Sequence, residues 1–217
     1  MSEEGSSRCE VNPATRADLD WIFQLQIDAY SRRYAISKQK LEQWFNRNPD
    51  GFSVVRINGQ NIGHLTLLPL HTSALESLVL GKLVENEIHE DCIHAPEEKH
   101  LVRNLYVESI ILGPQGGHYK LPIKALTKLA IDFVPLIRRV CDPGKLKNFY
   151  ALSASRRGER LMKALGFKQV KCDQQRPDQR ALYAATFSAL NLNITELSNR
   201  RRRNASFNRD LPSSVPC

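Results

Sequence analysis

Residues 148–170, NFYALSASRRGERLMKALGFKQV, fit a strand, a helix and a strand restart into about two dozen positions. Phe149, Tyr150, Ala151 and Leu152 form a short apolar run of strand character. Ser153 and Ser155 supply helix-start chemistry, and Leu161, Met162 and Leu165 share one face of a helix predicted over 156–165. Gly166 ends that helix, because a residue without Cβ enters the left-handed region freely and lets Phe167 fold back on the last turn. A chain that changes period this quickly reads as α/β, with helices packed on a sheet.

The remaining elements follow the same logic. Apolar residues at Leu19, Ile22, Phe23, Leu25, Ile27 and Tyr30 predict a helix over 17–30, capped by Thr15 or Asp18. A second helix is expected over 37–45, begun by Ser37 and closed by the turn Asn48-Pro49-Asp50-Gly51. Asn58-Gly59 between two apolar runs, 52–57 and 62–68, marks a β-hairpin. Residues 72–87 have partly helical spacing, 88–100 read as a polar loop, and 101–112 return to strand character. That strand runs into Gly113-Pro114-Gln115-Gly116-Gly117-His118-Tyr119-Lys120, after which Pro122 opens a helix reaching Asp132 or beyond.

Length and charge bound the function. A chain of 217 residues with 41% hydrophobic residues suits one domain with tails: a short N-terminal arm (1–8), a core domain (9–188) and a mobile basic C-terminal tail (189–217). The apolar runs are too short to span a bilayer and the N-terminus MSEEGSSRCE lacks an apolar signal region, so a cytoplasmic protein with no membrane partner is expected. Five scattered cysteines suggest reduced thiols, not a disulfide framework or a zinc site. The formal charge of +8 favours anionic ligands. Part of it is the block Arg200, Arg201, Arg202 and Arg203, which offers nucleic acid or an acidic partner a contact but specifies neither. The six histidines show no structural-zinc pattern, and the His89–His94 loop reads as polar surface, so no metal is expected. Neither a G-x-S-x-G nucleophile turn nor a P-loop is present.

The strand–helix–Gly-Phe ending, the opening strand and helix, and the central strand with its glycine-rich turn together resemble the GNAT superfamily of acyl-CoA-dependent N-acyltransferases over roughly residues 9–188. The resemblance implies a twisted, mostly antiparallel mixed sheet with helices on both faces, acetyl-CoA as cosubstrate, and a primary amine on an unknown acceptor. It assigns the pantetheine arm and pyrophosphate to the backbone of Ile111, Leu112 and Gly113 and to the loop Gln115, Gly116, Gly117, His118, Tyr119 and Lys120. Ser155 stands where the family often has an Asn that contacts the pantetheine arm. Aligned without gaps, His118, Tyr119 and Leu121 occupy the Gln/Arg, Gly and Gly/Ala slots of the family's phosphate loop, while a shifted alignment uses Gly116 and Gly117 with one extra residue. Met162 takes the usual tyrosine slot and has no proton to give a leaving thiolate.

Independently of the family, glycines ahead of a helix start let backbone N–H groups converge on an anion, and Lys120 adds a full charge. Glu108 is the ionisable residue within an otherwise apolar strand. Burial there raises its affinity for a proton, which makes it the candidate general base, acting directly or through water. Backbone N–H groups near Ile110–Leu112 are candidates to polarise a thioester carbonyl. Tyr106, Tyr119 and Tyr150 are the candidate substitutes for the missing acid. Two rivals stand beside this reading: a non-catalytic acyl-CoA-binding or regulatory module of the same fold, and a nucleic-acid-associated protein acting through its basic tail. A homodimer is also open.

Overall fold

The computed structural model describes residues 8–30, 34–112 and 123–207. Strand β1 (Cys9–Pro13) leads through a 3-10 turn into helix α1 (Leu19–Tyr30), and Ser37 opens helix α2 (Lys38–Arg47) by accepting a hydrogen bond from the Lys40 N–H at 3.3 Å. Strands β2 (Phe52–Ile57) and β3 (Gln60–Leu68) form the expected hairpin. Asn58 and Gly59 sit at φ 50 and 81, the double positive φ that matches the turn to the twist of its strands. Helix α3 (Thr72–Leu80) stops at Gly81, and residues 85–98 hold three successive 3-10 turns.

Strand β4 (Asn104–Leu112), helix α4 (Ile123–Val140), strand β5 (Asn148–Leu152), helix α5 (Arg156–Ala164), strands β6 (Lys168–Lys171) and β7 (Leu182–Thr186), and helix α6 (Phe187–Phe207) complete the described chain. The seven strands lie in the order β1-β2-β3-β4-β5-β7-β6, and every neighbouring pair is antiparallel except β4–β5. This is the mostly antiparallel mixed sheet expected from the sequence.

Alternation along the strands divides the core in two. Val55, Leu67, Leu105, Val107, Phe149 and Tyr183 face α4, α5 and α6 through Leu129, Ile137, Met162, Leu190 and Ile194. Phe52, Val54, Leu68, Tyr106 and Leu182 face α1, α2 and α3 through Ile22, Leu41, Trp44, Leu75 and Leu78. Helices therefore cover both faces.

One expectation fails at the C-terminus. The irregular tail read from residue 189 is helical as far as Phe207. Thr186 Oγ1 accepts from the Ala189 N–H at 3.2 Å, and Leu190 and Ile194, one helical turn apart, are buried in the core. Residues 208–217 lie outside the described residues. The basic block falls on α6, so helix α6 spans the boundary expected at 188.

Gly166 ties two of these elements together. Its φ is 91, the Phe167 N–H donates to the Met162 carbonyl at 2.9 Å, and Asn193 of α6 donates Nδ2 to the Leu165 carbonyl at 3.1 Å. A Cβ here would stand 2.1 Å from Asn193 Nδ2. Gly166→Ala is therefore expected to lower the unfolding free energy by about 1–3 kcal/mol, from positive φ and the displaced Asn193 together. Urea unfolding checks this, and unchanged stability would contradict it.

Candidate active site

The parallel ladder between β4 and β5 is short. Pairing runs from Asn104↔Asn148 to Val107↔Ala151 and stops, while β4 continues to Leu112 beside β3 alone. On the β3 side, Val107 pairs with Leu67 and Ser109 with Thr66, so Glu108 is the extra residue of a β-bulge. The bulge falls where β4 loses its parallel neighbour. A gap thus opens between the carboxyl ends of two parallel strands, and Glu108 stands at its root. Ile111 and Leu112 lie farther along β4, and Ser155 lies just beyond β5, at the same edge of the sheet. Ser155 caps α5, its Oγ accepting from the Gly158 N–H at 3.1 Å. Gly113, Gln115, Gly116, Gly117, His118, Tyr119 and Lys120 lie outside the described residues.

Four elements converge on Glu108. From α1, Gln26 donates Nε2 to both carboxylate oxygens, at 3.1 and 3.2 Å, while its own Oε1 is buried and has no hydrogen-bond partner among the described residues. Glu85, from the first 3-10 turn after α3, is fully engaged nearby. It is paired with Arg180 Nη2 at 2.7 Å, and the buried Tyr106 hydroxyl donates to it. Arg180, on the chain between β6 and β7, also lies 3.7 Å from Asp178 and stacks 5.8 Å over the Tyr34 ring. Asp178 is held in turn by Arg176 at 2.9 Å. A cavity of about 160 Å³ lined by Tyr34, Glu85, Asn86, Asp178 and Arg180 opens here, and Asn86 also borders a larger groove of about 540 Å³ between α1 and α2, lined by Phe23, Ile27 and Lys40.

Burial pushes Glu108 up to about 8, and the charge of Glu85 adds to the effect, while hydrogen bonds from Ser109 and Gln26 and the charge of Arg180 oppose it. Glu85 has the arginine as its direct partner, so Glu108 is the carboxyl that keeps a proton near neutral pH. Tyr30, at the end of α1, is the neighbour that sequence reading missed. Burial first, then the charges of Glu108 and Glu85, raise its phenol well above the ordinary value, and the Ile110 N–H donates to its oxygen. That N–H belongs to the part of β4 without a β5 partner.

Tyr106 is committed to Glu85, Tyr150 packs partly buried beside the core of the α1–α3 face, and Tyr119 lies outside the described residues. Met162 is 9% exposed and belongs to the core of the opposite face. Gln26, Glu85 and Arg180 were equally invisible in the sequence, because they meet only in space.

This seven-stranded sheet has the GNAT fold, which it shares with solved structures. Similar solved structures include the loading GNATL domain of CurA from Lyngbya majuscula, at 11% identity with a TM-score of 0.58, covering 83% of this chain and 98% of that one. The GphF GNAT-like decarboxylase in complex with isobutyryl-CoA matches at 15% identity and a TM-score of 0.55, over 82% of this chain and 99% of that one. Aminoglycoside acetyltransferase AAC(6')-Ib, in complex with coenzyme A, matches at 15% identity and a TM-score of 0.50, over 84% and 96% of the two chains. No protein-family model and no curated protein matches the sequence. No helix among the described residues is long and apolar enough to cross a membrane.

The raised proton affinity of Glu108 makes stability pH-dependent in a definite direction. Between the ordinary carboxylate value of 4.5 and about 8 the folded protein holds a proton that the unfolded chain has lost. The stability tied to this group is therefore complete at low pH and falls as pH rises through that window. Glu108→Gln is expected to match the parent near pH 5 and to exceed it above about pH 8, by thermal melts across pH. A parallel pH dependence in the two proteins would contradict the assignment.

Proposed function

We propose that this chain is an N-acetyltransferase that moves an acetyl group from acetyl-CoA to a primary amine. The observation that carries the reading is Glu108, a bulged carboxyl at the root of the β4–β5 gap, with its proton affinity tuned close to working pH. The gap fits a pantetheine arm, since β4 beyond Val107 has a backbone edge with no β5 strand to pair it. In this reading the edge at Ile110–Leu112 holds the arm, the loop Gly113, Gln115, Gly116, Gly117, His118, Tyr119 and Lys120 takes the pyrophosphate, and Ser155 borders the arm from α5. Two similar structures are complexes with isobutyryl-CoA and coenzyme A, which supports an acyl-CoA as the ligand.

The chemistry assigns each group one task. Glu108, once ionised, takes a proton from the acceptor ammonium, directly or through water, and frees its lone pair to attack the thioester carbonyl. The Ile110 N–H, which Tyr30 occupies in the free protein, turns to the carbonyl oxygen as charge develops on it. Tyr30, kept protonated by burial, gives its proton to the leaving thiolate and recovers one from the attacking nitrogen, the role Met162 cannot fill. The acceptor enters from the side of Tyr34, Asn86 and Asp178, Asn86 lining both cavities.

A non-catalytic acyl-CoA-binding module is the second reading, favoured by Met162 lying in the core. Turnover separates the two. With acetyl-CoA and a panel of primary amines, the parent is expected to release CoA with a kcat/KM that climbs with pH toward a plateau above about 8, because the base works only when ionised. Glu108→Gln should lower kcat by roughly 10²–10⁴-fold and abolish that pH dependence. Binding without turnover at any pH would leave the module reading, and full activity in Glu108→Gln would remove Glu108 from the mechanism.

A further inference from the structure

Residues His71, His94 and Glu98, separate from the site above, form a cluster that the proposed reaction does not use, although Glu98 Oε2 also accepts the Ala95 N–H at 2.8 Å. His71 immediately precedes α3, while His94 and Glu98 belong to the 3-10 segment that returns toward β4. Backbone pairing brings them together. Leu70 and Ile93 form an antiparallel bridge, the His71 N–H donates to the Cys92 carbonyl and the His94 N–H to the Pro69 carbonyl, both at 2.8 Å. The two imidazole rings consequently meet with centroids 3.9 Å apart, and Glu98 Oε2 lies 3.6 Å from His94 Nδ1. One ligand atom from each of the three residues falls within 4.8 Å of the others.

A second observation points to a ligand. His94 is only 8% exposed, yet its buried Nδ1 has no hydrogen-bond partner among the described residues. A buried ring nitrogen aimed at a carboxylate, but beyond hydrogen-bond distance of it, is a polar group left unsatisfied. Two imidazoles and one carboxylate are a donor set for zinc and its first-row neighbours, with metal–ligand distances of roughly 2.0–2.2 Å that need only a small inward movement of these side chains. Arg47 is the opposing charge, 3.4 Å from Glu98 Oε2. Its Nε is anchored on the Ile93 carbonyl at 2.9 Å, and it balances the carboxylate whenever the metal is absent.

We infer that His71, His94 and Glu98 bind one divalent transition metal of the zinc class, with water completing its shell. The metal clips the start of α3 to the 90–98 segment. Sequence spacing hid the site, because 23 positions separate its two histidines and His94 precedes the 3-10 turn, Pro96–Glu98, that carries Glu98. The inference is independent of the acyl-CoA reading.

The test uses full-length protein stripped with a chelator and titrated with Zn²⁺ by calorimetry and with Co²⁺ by visible absorption. His71→Ala, Glu98→Gln and the control His100→Ala, at an exposed histidine, are titrated alongside, with circular dichroism reporting that each is folded. One metal per chain, a rise in melting temperature on loading, and at least tenfold weaker binding in His71→Ala and Glu98→Gln but not in His100→Ala are the expected results. No stoichiometric binding by the parent, parental affinity in both His71→Ala and Glu98→Gln, or a cobalt spectrum dominated by thiolate ligation would overturn it.

Discussion

The structure turns on the place where β4 and β5 stop pairing. Four residue pairs hold the two parallel strands together, and at the fifth position the bulge at Glu108 redirects β4 while β5 gives way to the start of α5. A sheet that loses one neighbour exposes backbone donors and acceptors that must find other partners. Here one of them, the Ile110 N–H, is met by the Tyr30 hydroxyl. The same bulge that ends the ladder also aims Glu108 at the α1 side, so the cleft and its titratable group have one cause.

Around that point the protein buries two carboxyls and resolves the conflict by giving them unequal partners. Glu85 has a guanidinium and a phenol; Glu108 has an amide and a hydroxyl. Glu108 is left with dipoles that are insufficient to offset burial. Separate environments for two nearby carboxyls define an acid–base site better than either residue does alone. Because Glu85 comes from the 81–103 segment and Arg180 from the β6–β7 connection, this ion pair ties the two segments to each other.

Much of the scaffold was legible because its punctuation is chemical. Asn58-Gly59 demands positive φ and so a hairpin, Ser37 and Ser155 cap helices, and Gly166 stops one. Glu108 was legible for a related reason, as a carboxyl inside an apolar strand. The bulge that makes it special was not, since it is set by register against Thr66 and Leu67, 40 residues upstream. Gln26, Tyr30, Glu85 and Arg180 each read as ordinary polar or aromatic residues of their own elements, and only the tertiary fold makes them neighbours. The C-terminal helix was missed because its basic, Asn-rich stretch hides a short apolar stripe, Leu190 and Ile194, whose burial against α4 and α5 outweighs weak helix propensity.

The central claim is that this divergent sheet holds an acyl-CoA at the β4–β5 gap, with its phosphates in the loop that follows β4. Calorimetric titration of the protein with acetyl-CoA and with free CoA, beside a folded variant carrying Gly116→Glu and Gly117→Glu, tests it directly. The account predicts micromolar binding of both ligands by the parent and none by the variant. Absence of binding by the parent, or equal binding by the variant, would contradict it.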